Sequence, residues 1–361
     1  MRDIQHAMQT FLEEKVREGS ERGLQLAVYY RGELIVDAFA GIADQASGTP
    51  VDGDTLFPVF STTKGVAATV IHLLAERGQL DYDAKIGDIW PEFGVNGKEE
   101  ALIRHALYHT TGIPHMPTGI GVADLSDWDK MCAEIARLTP QWPPGEHMEY
   151  HAITYGWILG EIARRVDGRA FSQILKEDIC DPLGITDMYV GLPDGMEHRV
   201  ALLEEPGFVP PSVDEDRPQA IPAWISPLHE WMNTPAARRA CVPASNGIMS
   251  ARSIARHYAA LLPGGVDGVQ LLPNSRMKLA TAPLRLKDGV LLPRGMGYEV
   301  GQENSIIGPR LEAFGHGGYG GSIAFADPGQ DLAVGFTKNL YSQNDAGSSI
   351  IGELKNRLGI A

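Results

Sequence analysis

The stretch FPVFSTTKGVAATVIHLLAERGQLD, residues 57–81, places a serine, Ser61, three residues before a lysine, Lys64. Behind this pair, apolar residues recur at helical spacing from Thr62 to about Gly78, which predicts a buried helix. Because residues i and i+3 share a helix face, we expect the Lys64 amine beside the Ser61 hydroxyl. Burial weakens the preference of a lysine for its charged form, and a helix N-terminus presents free N–H groups to a developing oxyanion. The stretch therefore predicts a serine nucleophile with its own proton acceptor.

The same spacing has a plainer interpretation, because serine is a favoured helix cap and lysine is a common solvated helix residue. The chain holds a second copy, from Ser275 to Lys278, which shows how little the spacing decides alone. Ser275 follows a Pro-Asn pair in a polar stretch and has no apolar run behind it. Context therefore favours Ser61, although the pattern by itself leaves both interpretations open.

Strand patterns stand at the two ends of the chain. Residues 23–44 read as two strands with a tight turn at Arg31-Gly32, and residues 295–301, 313–328 and 331–339 read as strands joined by Gly and Asp-Pro turns. Helical patterns lie at the N-terminus and at residues 62–78, 99–109, 127–138, 153–166, 170–178, 250–262 and 348–358.

This order of elements predicts an α+β fold, an α/β sandwich. An antiparallel sheet built from both termini is flanked by helices, with an inserted, mostly helical domain. We expect residues 1–60 plus 285–361 to form the sheet domain and residues 61–284 the helical domain, with the active site at their junction.

A serine nucleophile also needs a second proton shuttle and an oxyanion donor from elsewhere in the fold. Tyr150, in the segment PPGEHMEYHAITYGWILGEIARR, is the candidate shuttle. The segment FGHGGYGGS, residues 314–322, is the candidate donor, because glycines let a backbone approach a ligand closely.

Composition excludes several classes of function. The 361 residues carry a formal net charge of −15, which argues against binding to nucleic acid or to anionic lipid. Three widely spaced cysteines, Cys132, Cys180 and Cys241, predict neither a disulfide framework nor a thiolate metal site. With no apolar signal core and no run long enough to span a membrane, we expect a cytoplasmic protein whose oligomeric state stays open.

The segments Ser61-Thr62-Thr63-Lys64, Tyr150 and His316-Gly317-Gly318, in this order, resemble those of the penicillin-recognising serine hydrolases. That family includes class C β-lactamases, D-alanyl-D-alanine carboxypeptidases and family VIII carboxylesterases. Residues 102–114, 142–162 and 243–262 also resemble the segments that flank the family's motifs, so the resemblance covers nearly the whole chain. It implies the β-lactamase/transpeptidase-like fold.

By resemblance, Ser61 is the acylated nucleophile and Lys64 its proton partner. Tyr150 would take the serine proton and later activate the deacylating water, a role that needs nearby positive charge, with Lys64 as the candidate source. The oxyanion hole would be the backbone N–H groups of Ser61 and Tyr319. His316 would stand where the family's third motif has lysine, with Gly317 and Gly318 completing the substrate-binding strand.

Two departures from the family pattern concern the substrate. The tyrosine motif reads Tyr150-His151-Ala152, where the family has Asn at the third position, and the third motif lacks both Lys and Thr. In the family, the Lys and Thr of the third motif help to bind the carboxylate of a β-lactam, so the departures favour a serine esterase acting on a small, neutral acyl ester, without cofactor or metal. The alternatives are a β-lactamase, a D-aminopeptidase or D-Ala-D-Ala carboxypeptidase-type amide hydrolase, or an acyltransferase.

Less favoured alternatives are a non-catalytic binding relative and a metal-dependent hydrolase. The histidine pairs His105/His109 and His147/His151 have the i, i+4 spacing of metal ligands but no completing carboxylate. An α/β-hydrolase is disfavoured because the chain has no G-x-S-x-G segment.

Three further residues flank Pro-rich or polar loops. Trp224 and Trp231 border a Pro-rich loop and are candidate pocket residues, or else only pack the core. Ser245 begins a Ser-Asn-Gly sequence that we interpret as a turn before a helix at Ser250.

Overall fold

The computed structural model describes residues 2–210, 218–341 and 346–360. Residues 211–217, part of the Pro-rich loop predicted from the sequence, lie outside the described ranges. The strands are β1 (Gly23–Tyr30), β2 (Glu33–Asp44), β3 (Thr49–Pro50), β4 (Phe57–Phe60), β5 (Met188–Val190), β6 (Gly247–Met249), β7 (Leu284–Arg285), β8 (Leu291–Leu292), β9 (Glu299–Val300), β10 (Phe314–Gly317), β11 (Ile323–Asp327) and β12 (Leu332–Lys338).

The helices lie mostly between β4 and β7. They are α1 (Arg2–Arg17), α2 (Thr63–Glu76), α3 (Ile86–Ile89), α4 (Ile103–Leu107), α5 (Trp128–Arg137), α6 (Thr154–Asp167), α7 (Phe171–Leu175), α8 (Asp181–Leu183), α9 (Leu228–Met232), α10 (Pro235–Arg239), α11 (Ala251–Ala259), α12 (Asn274–Ala280) and α13 (Ala346–Leu358). A π-helical segment, Lys176–Cys180, joins α7 to α8, and 3₁₀ turns lie at Val122–Ser126, Glu197–Arg199, Ala223–Ile225 and Tyr319–Gly321.

Both ends of the chain build the main sheet, which among the described residues has seven strands in the order β3-β2-β1-β12-β11-β10-β9. All of its neighbouring strands are antiparallel. The β1–β2 hairpin turns at Arg31 and Gly32, whose φ angles of 54° and 76° are the positive values that match the twist of a two-residue hairpin. Residues of β1 pair directly with residues of β12, so the first and last strands along the chain are neighbours in the sheet.

The sheet separates two hydrophobic cores. Along β1, Leu24, Leu26 and Val28 face one core, whereas Ala27 and Tyr29 face the other, as the period-2 geometry of a strand requires. Helices α1 and α13 contact each other beside the first core, and α11 packs on β1 and β12 at the second. This arrangement confirms the predicted α+β sandwich.

Two local predictions differ from the structure. The strand patterns read from the sequence do not include residues 57–60, but these residues form the buried strand β4, paired with β6, which pairs with β5 on its other side. Because β4 is short, fully buried and contains Pro58, its sequence lacks the alternation of apolar and polar residues that predicts a strand. Similarly, Gly247 was predicted to be in a turn and is instead the first residue of β6.

Helix α2 connects the two parts of the molecule, because it packs against both α6 and strand β10 of the main sheet. The turn before α2 therefore lies where the helical region meets the sheet. The domain boundaries at residues 60/61 and 284/285 stay a prediction.

Candidate active site

Ser61 stands on a sharp turn between β4 and α2. Phe60, just before it, has a φ of 44°, a left-handed value that is rare for a bulky residue and is a known feature of functional turns. The Phe60 ring is held by edge contacts with Tyr319 and Tyr341, at centroid distances of 5.7 and 5.9 Å. Ser61 itself is half-buried. The turn thus holds the serine hydroxyl at the start of a helix without closing it off from solvent.

The two threonines between Ser61 and Lys64 tie this turn to neighbouring strands. The Thr62 hydroxyl donates to the Ser322 carbonyl at 3.1 Å, next to β11. Thr63 Oγ1 donates to the Phe60 carbonyl at 2.5 Å and accepts from the Gly247 backbone N–H at 2.9 Å. The position of Ser61 is therefore set by both the main sheet and the three-stranded sheet of β4, β6 and β5.

Lys64 is completely buried, and its amine has three oxygen neighbours. Nζ lies 3.1 Å from Ser61 Oγ, 2.7 Å from the Ala152 carbonyl and 2.9 Å from the Ala244 carbonyl. Burial holds the pKa of Lys64 well below its usual value, and the positive charge of Arg294 lowers it further. At position 152, where the resembled family has Asn, this chain supplies a backbone carbonyl to the same lysine.

Tyr150 completes the cluster that the sequence predicted. Its hydroxyl is hydrogen-bonded to Ser61, and Lys64 Nζ lies 4.7 Å from its ring centroid. Burial raises the pKa of Tyr150 above its usual value, a rise that the bond to Ser61 and the charge of Arg294 oppose. Burial disfavours the charged form of Lys64, and Arg294 is the cation whose charge lowers the pKa of Tyr150, so Lys64 as the source of positive charge stays a prediction.

The second serine–lysine pattern, from Ser275 to Lys278, does not lie in such a buried cluster. Ser275 and Lys278 lie on α12 and both are exposed to solvent. The structure therefore separates the two copies as the sequence context did.

Two buried histidines beside Tyr150 fix the backbone of the site. The Nε2 atom of His151 accepts from the Ile113 N–H at 3.2 Å and lies 2.8 Å from the Thr111 hydroxyl, while its Nδ1 contacts the Glu149 carbonyl at 2.6 Å. Because that carbonyl can only accept, the His151 proton lies on Nδ1 and the ring is fully bonded. Burial lowers the pKa of His151 to about 4, so the ring is neutral at pH 7.

His109 packs against the rings of both Tyr150 and Tyr155. Its centroid is 4.8 Å from Tyr150 and 4.6 Å from Tyr155, and its Nδ1 accepts from the backbone N–H of His151. His109 and His151 each belong to one of the two pairs with metal-like i, i+4 spacing, and their rings serve packing and hydrogen bonds to the backbone. Among the described residues, no group of three or more His, Cys, Asp or Glu side chains could hold a metal ion.

The glycine-rich strand reaches the Ser61 turn at very close range. A Cβ atom on Gly318 would lie 2.1 Å from the Val59 carbonyl oxygen and 2.9 Å from Thr62 Oγ1, so only glycine fits there. The backbone N–H groups of Ser61 and Tyr319 make no hydrogen bond within the described parts of the chain. Within the described residues, both N–H groups expected to form the oxyanion hole are thus without a hydrogen-bond partner. They lie on segments that contact each other.

His316 is buried and uncharged. Its Nδ1 lies 2.7 Å from the Gly317 carbonyl, and burial lowers its pKa to about 4. The ring therefore keeps its proton on Nδ1 at neutral pH, and Nε2 is a buried acceptor with no partner in the described residues. Its ring centroid lies 6.1 Å from that of Tyr150. The residue that stands in place of the family's lysine supplies no positive charge.

The sequence did not predict Arg294, yet this residue brings a cation to the site. The centre of its guanidinium lies 5.5 Å from the Tyr150 ring centroid, and its Nη2 lies 3.7 Å from Glu299 Oε1. Nη1 is buried and has no hydrogen-bond partner in the described residues. Arg294 precedes the strand pattern read at residues 295–301, and an isolated bridge between Arg294 and Glu299 brings the pair together.

The two tryptophans have different surroundings. Trp224 lines an open cavity of about 370 Å³, together with Met116, Ile120, Pro218 and Pro222 among others. The cavity loops are joined by a bond from the Met116 N–H to the Gln219 carbonyl. Trp231 lies in the hydrophobic core with 6% of its surface exposed and does not line this cavity, so the structure gives its predicted substrate contact no support.

The comparisons with known proteins agree with this geometry. The family model described as Beta-lactamase matches residues 8–350. Esterase/beta-lactamase LipL of Mycobacterium tuberculosis (strain ATCC 25618 / H37Rv) is 32% identical over 334 residues, 88% of this chain and 77% of the relative. Esterase EstB of Burkholderia gladioli is 28% identical over 193 residues, 48% of each chain.

Among solved structures, a family VIII carboxylesterase matches with a TM-score of 0.87 and 33% identity, covering 98% of this chain and 97% of that one. A penicillin-binding protein homologue from Caulobacter crescentus matches with a TM-score of 0.84 and 35% identity, over 98% and 97% of the two chains. These matches confirm the resemblance predicted from the sequence.

Proposed function

The chain belongs to the beta-lactamase family, and we propose that it is a serine hydrolase that cleaves carboxylic esters through an acyl-enzyme on Ser61. The names of its relatives, which include esterases and a family VIII carboxylesterase, support ester hydrolysis. The observation that carries the proposal is the completely buried Lys64 amine, 3.1 Å from the Ser61 hydroxyl.

The hydrogen bonds of Lys64 favour a neutral amine that takes the serine proton. The Ala152 and Ala244 carbonyls can only accept, so they use two N–H bonds of the amine. A neutral amine then has its lone pair left for the Ser61 O–H. The lowered pKa of Lys64 supports this form. In the proposed first step, Ser61 Oγ attacks the ester carbonyl while its proton moves to Lys64 Nζ.

Tyr150 has the opposite character, because its pKa is raised and its hydroxyl keeps its proton. We therefore assign to Tyr150 the donation of a proton to the leaving alcohol, followed by its reprotonation from the Lys64 ammonium. In deacylation the steps reverse: water attacks the acyl carbon while its proton passes through Tyr150 to Lys64, and the Lys64 ammonium then returns a proton to Ser61 Oγ as the bond from Oγ to the acyl carbon breaks. This order replaces the sequence-based assignment, in which Tyr150 took the serine proton first.

The backbone N–H groups of Ser61 and Tyr319 are the proposed oxyanion hole. Both lack a partner within the described residues, and the close contact of Gly318 with Val59 supports their proximity. Pre-aligned donors of this kind favour the tetrahedral intermediate over the bound ester, because they require no reorganisation during the reaction.

The charges around the site support a neutral ester as the substrate. His316 is uncharged at neutral pH, and the charge of Arg294 lies 3.7 Å from that of Glu299. The cavity beside Trp224 is lined largely by apolar side chains and by none of the catalytic cluster, and we propose that it takes the acyl or alkyl group. One observation favours the alternative of an anionic substrate such as a β-lactam, namely the unpartnered Nη1 of Arg294.

A substrate panel tests the proposed function. We expect p-nitrophenyl esters of short acids to give a burst and steady turnover, with much slower cleavage of nitrocefin and of a D-Ala-D-Ala peptide. Ser61→Ala should lose the burst, whereas Ser275→Ala, in the exposed second copy of the pattern, should keep native turnover. Ester turnover retained in Ser61→Ala, or faster cleavage of nitrocefin than of any ester, would contradict the proposal.

None of the helices in the described part of the chain has the length and hydropathy to span a membrane. A cytoplasmic location also belongs to the proposal. It is supported by the three free cysteines, Cys132, Cys180 and Cys241.

A further inference from the structure

The segment Gly317–Gly321 reads Gly-Gly-Tyr-Gly-Gly, so Tyr319 is its single residue with a side chain. Glycine backbones have wide conformational freedom, and Gly320 and Gly321 use it, with φ values of 84° and 101°. A backbone N–H group in such a segment needs an external anchor if it is to stay aimed at a reacting atom. The Tyr319 side chain is the anchor that this segment offers.

The Tyr319 side chain is fixed on two sides. Its ring packs edge-on against Phe60, which precedes Ser61, and against Tyr341, at centroid distances of 5.7 and 5.6 Å. Its hydroxyl donates a hydrogen bond of 2.5 Å to Glu205 Oε1. Burial and the Glu205 carboxylate raise the pKa of Tyr319, so the hydroxyl remains a donor. One side chain thus connects the two proposed oxyanion donors.

Glu205 is itself held in place. Its second oxygen, Oε2, lies 3.0 Å from His229 Nδ1 on α9. Its neighbour Glu204 is attached to the end of β12, because the Glu204 N–H donates to the Asn339 carbonyl and the Tyr341 N–H donates to the Glu204 carbonyl. A hydrogen bond from a hydroxyl to a charged carboxylate is also about twice as strong as a neutral one.

From these contacts we propose that Glu205 is a positioning residue for ester hydrolysis, which holds the Tyr319 hydroxyl and thereby keeps the Tyr319 N–H aimed into the oxyanion hole. This inference rests on the proposed function. It gives a role to the start of the Pro-rich loop, where Glu205 stands one residue before a proline in the sequence. Glu205 touches no reacting atom, so its effect falls on the transition state and not on substrate binding.

The test is single-turnover and steady-state hydrolysis of p-nitrophenyl acetate by folded variants. A misplacement of catalytic groups by about 1 Å can cost about a hundredfold in rate. We expect Glu205→Ala and Tyr319→Phe each to lower kcat by about tenfold to a hundredfold with little change in KM. The double variant should be no slower than the slower single variant, because both changes break one hydrogen bond.

Two variants separate positioning from general damage. Glu205→Gln keeps an amide oxygen that accepts from Tyr319 and should recover most of the rate. Glu204→Gln changes the adjacent carboxylate, which pairs with Arg22 at 3.4 Å, and should leave the rate native. If Glu205→Ala fails to fold, Tyr319→Phe decides, because it removes only one hydroxyl from a half-exposed ring.

The inference is overturned by a native kcat in Glu205→Ala or Tyr319→Phe, by multiplied losses in the double variant, or by an equal loss in Glu204→Gln. Mass spectrometry of the wild-type enzyme keeps this failure distinct from failure of the proposed function. Acetyl on wild-type Ser61 with native rates in the Glu205 variants rejects only the positioning role. Turnover without acetyl on Ser61 rejects the proposed function as well.

Discussion

Replacing Lys64 with methionine removes the proposed proton acceptor while nearly preserving the volume of a completely buried side chain. The change leaves Ser61 and Tyr150 in place but deletes the amine 3.1 Å from the serine hydroxyl. Loss of a positioned general base costs about a hundredfold to ten-thousandfold in rate. At about 1.4 kcal/mol per factor of ten, the acylation barrier should rise by about 3–5 kcal/mol.

The assay is the rate of the p-nitrophenol burst as a function of pH. Because burial lowers the pKa of Lys64, the wild-type rate should fall, as pH decreases, through a limb that lies well below the ordinary lysine pKa of 10.5. In Lys64→Met the remaining slow rate should lack this limb. Lys278→Met, in the exposed second copy, is the matched control and should retain both the native rate and the limb.

Two outcomes refute this reasoning. A burst rate in folded Lys64→Met within about tenfold of native shows that the amine is not the general base. A limb that survives the substitution shows that another group titrates. Since the Ala152 and Ala244 carbonyls also lose a partner, each at a cost of about 1–3 kcal/mol, the measurement is made on protein that circular dichroism shows to be folded.

Two further predictions follow from charge and from close packing. Arg294→Gln removes a positive charge that lowers the pKa of Lys64, so the pKa should rise and the low-pH limb of acylation should move to higher pH; a limb that stays or moves to lower pH contradicts this. Gly318→Ala puts a Cβ atom 2.1 Å from the Val59 carbonyl oxygen and should lower the free energy of unfolding by about 1–3 kcal/mol in urea titration. In Gly317→Ala the nearest atom is 3.9 Å away, so equal unfolding midpoints for the two variants would contradict the packing argument.

The sequence predicted much of the fold and several residues of the site. The apolar period behind Ser61 correctly indicated a buried helix, and the order of strand and helix patterns gave the sandwich. The sequence also pointed to Lys64, Tyr150 and the strand at His316. The structure places Lys64 and Tyr150 beside the Ser61 hydroxyl, and the His316 ring beside that of Tyr150. The helix and the strands could be read from residues a few positions apart, whereas the roles of Tyr150 and His316 were what the family resemblance implied.

The features that the sequence missed depend on contacts between distant segments. Arg294 and Glu205 are ordinary charged loop residues until the fold brings them to Tyr150 and Tyr319. The positive φ of Phe60 leaves no sign in the residue type, and the rings that contact Phe60, Tyr319 and Tyr341, are distant in sequence. Likewise, composition does not reveal that burial raises the pKa of Tyr150 more than nearby charge lowers it.

The most direct test of the account is the location of the acyl group. The protein is mixed with p-nitrophenyl acetate or with a serine-reactive fluorophosphonate, quenched within the burst, digested and mapped by mass spectrometry. The account predicts one modified peptide with the adduct on Ser61, and no adduct in Ser61→Ala. An adduct on any other residue, or ester turnover that persists in Ser61→Ala, would contradict it.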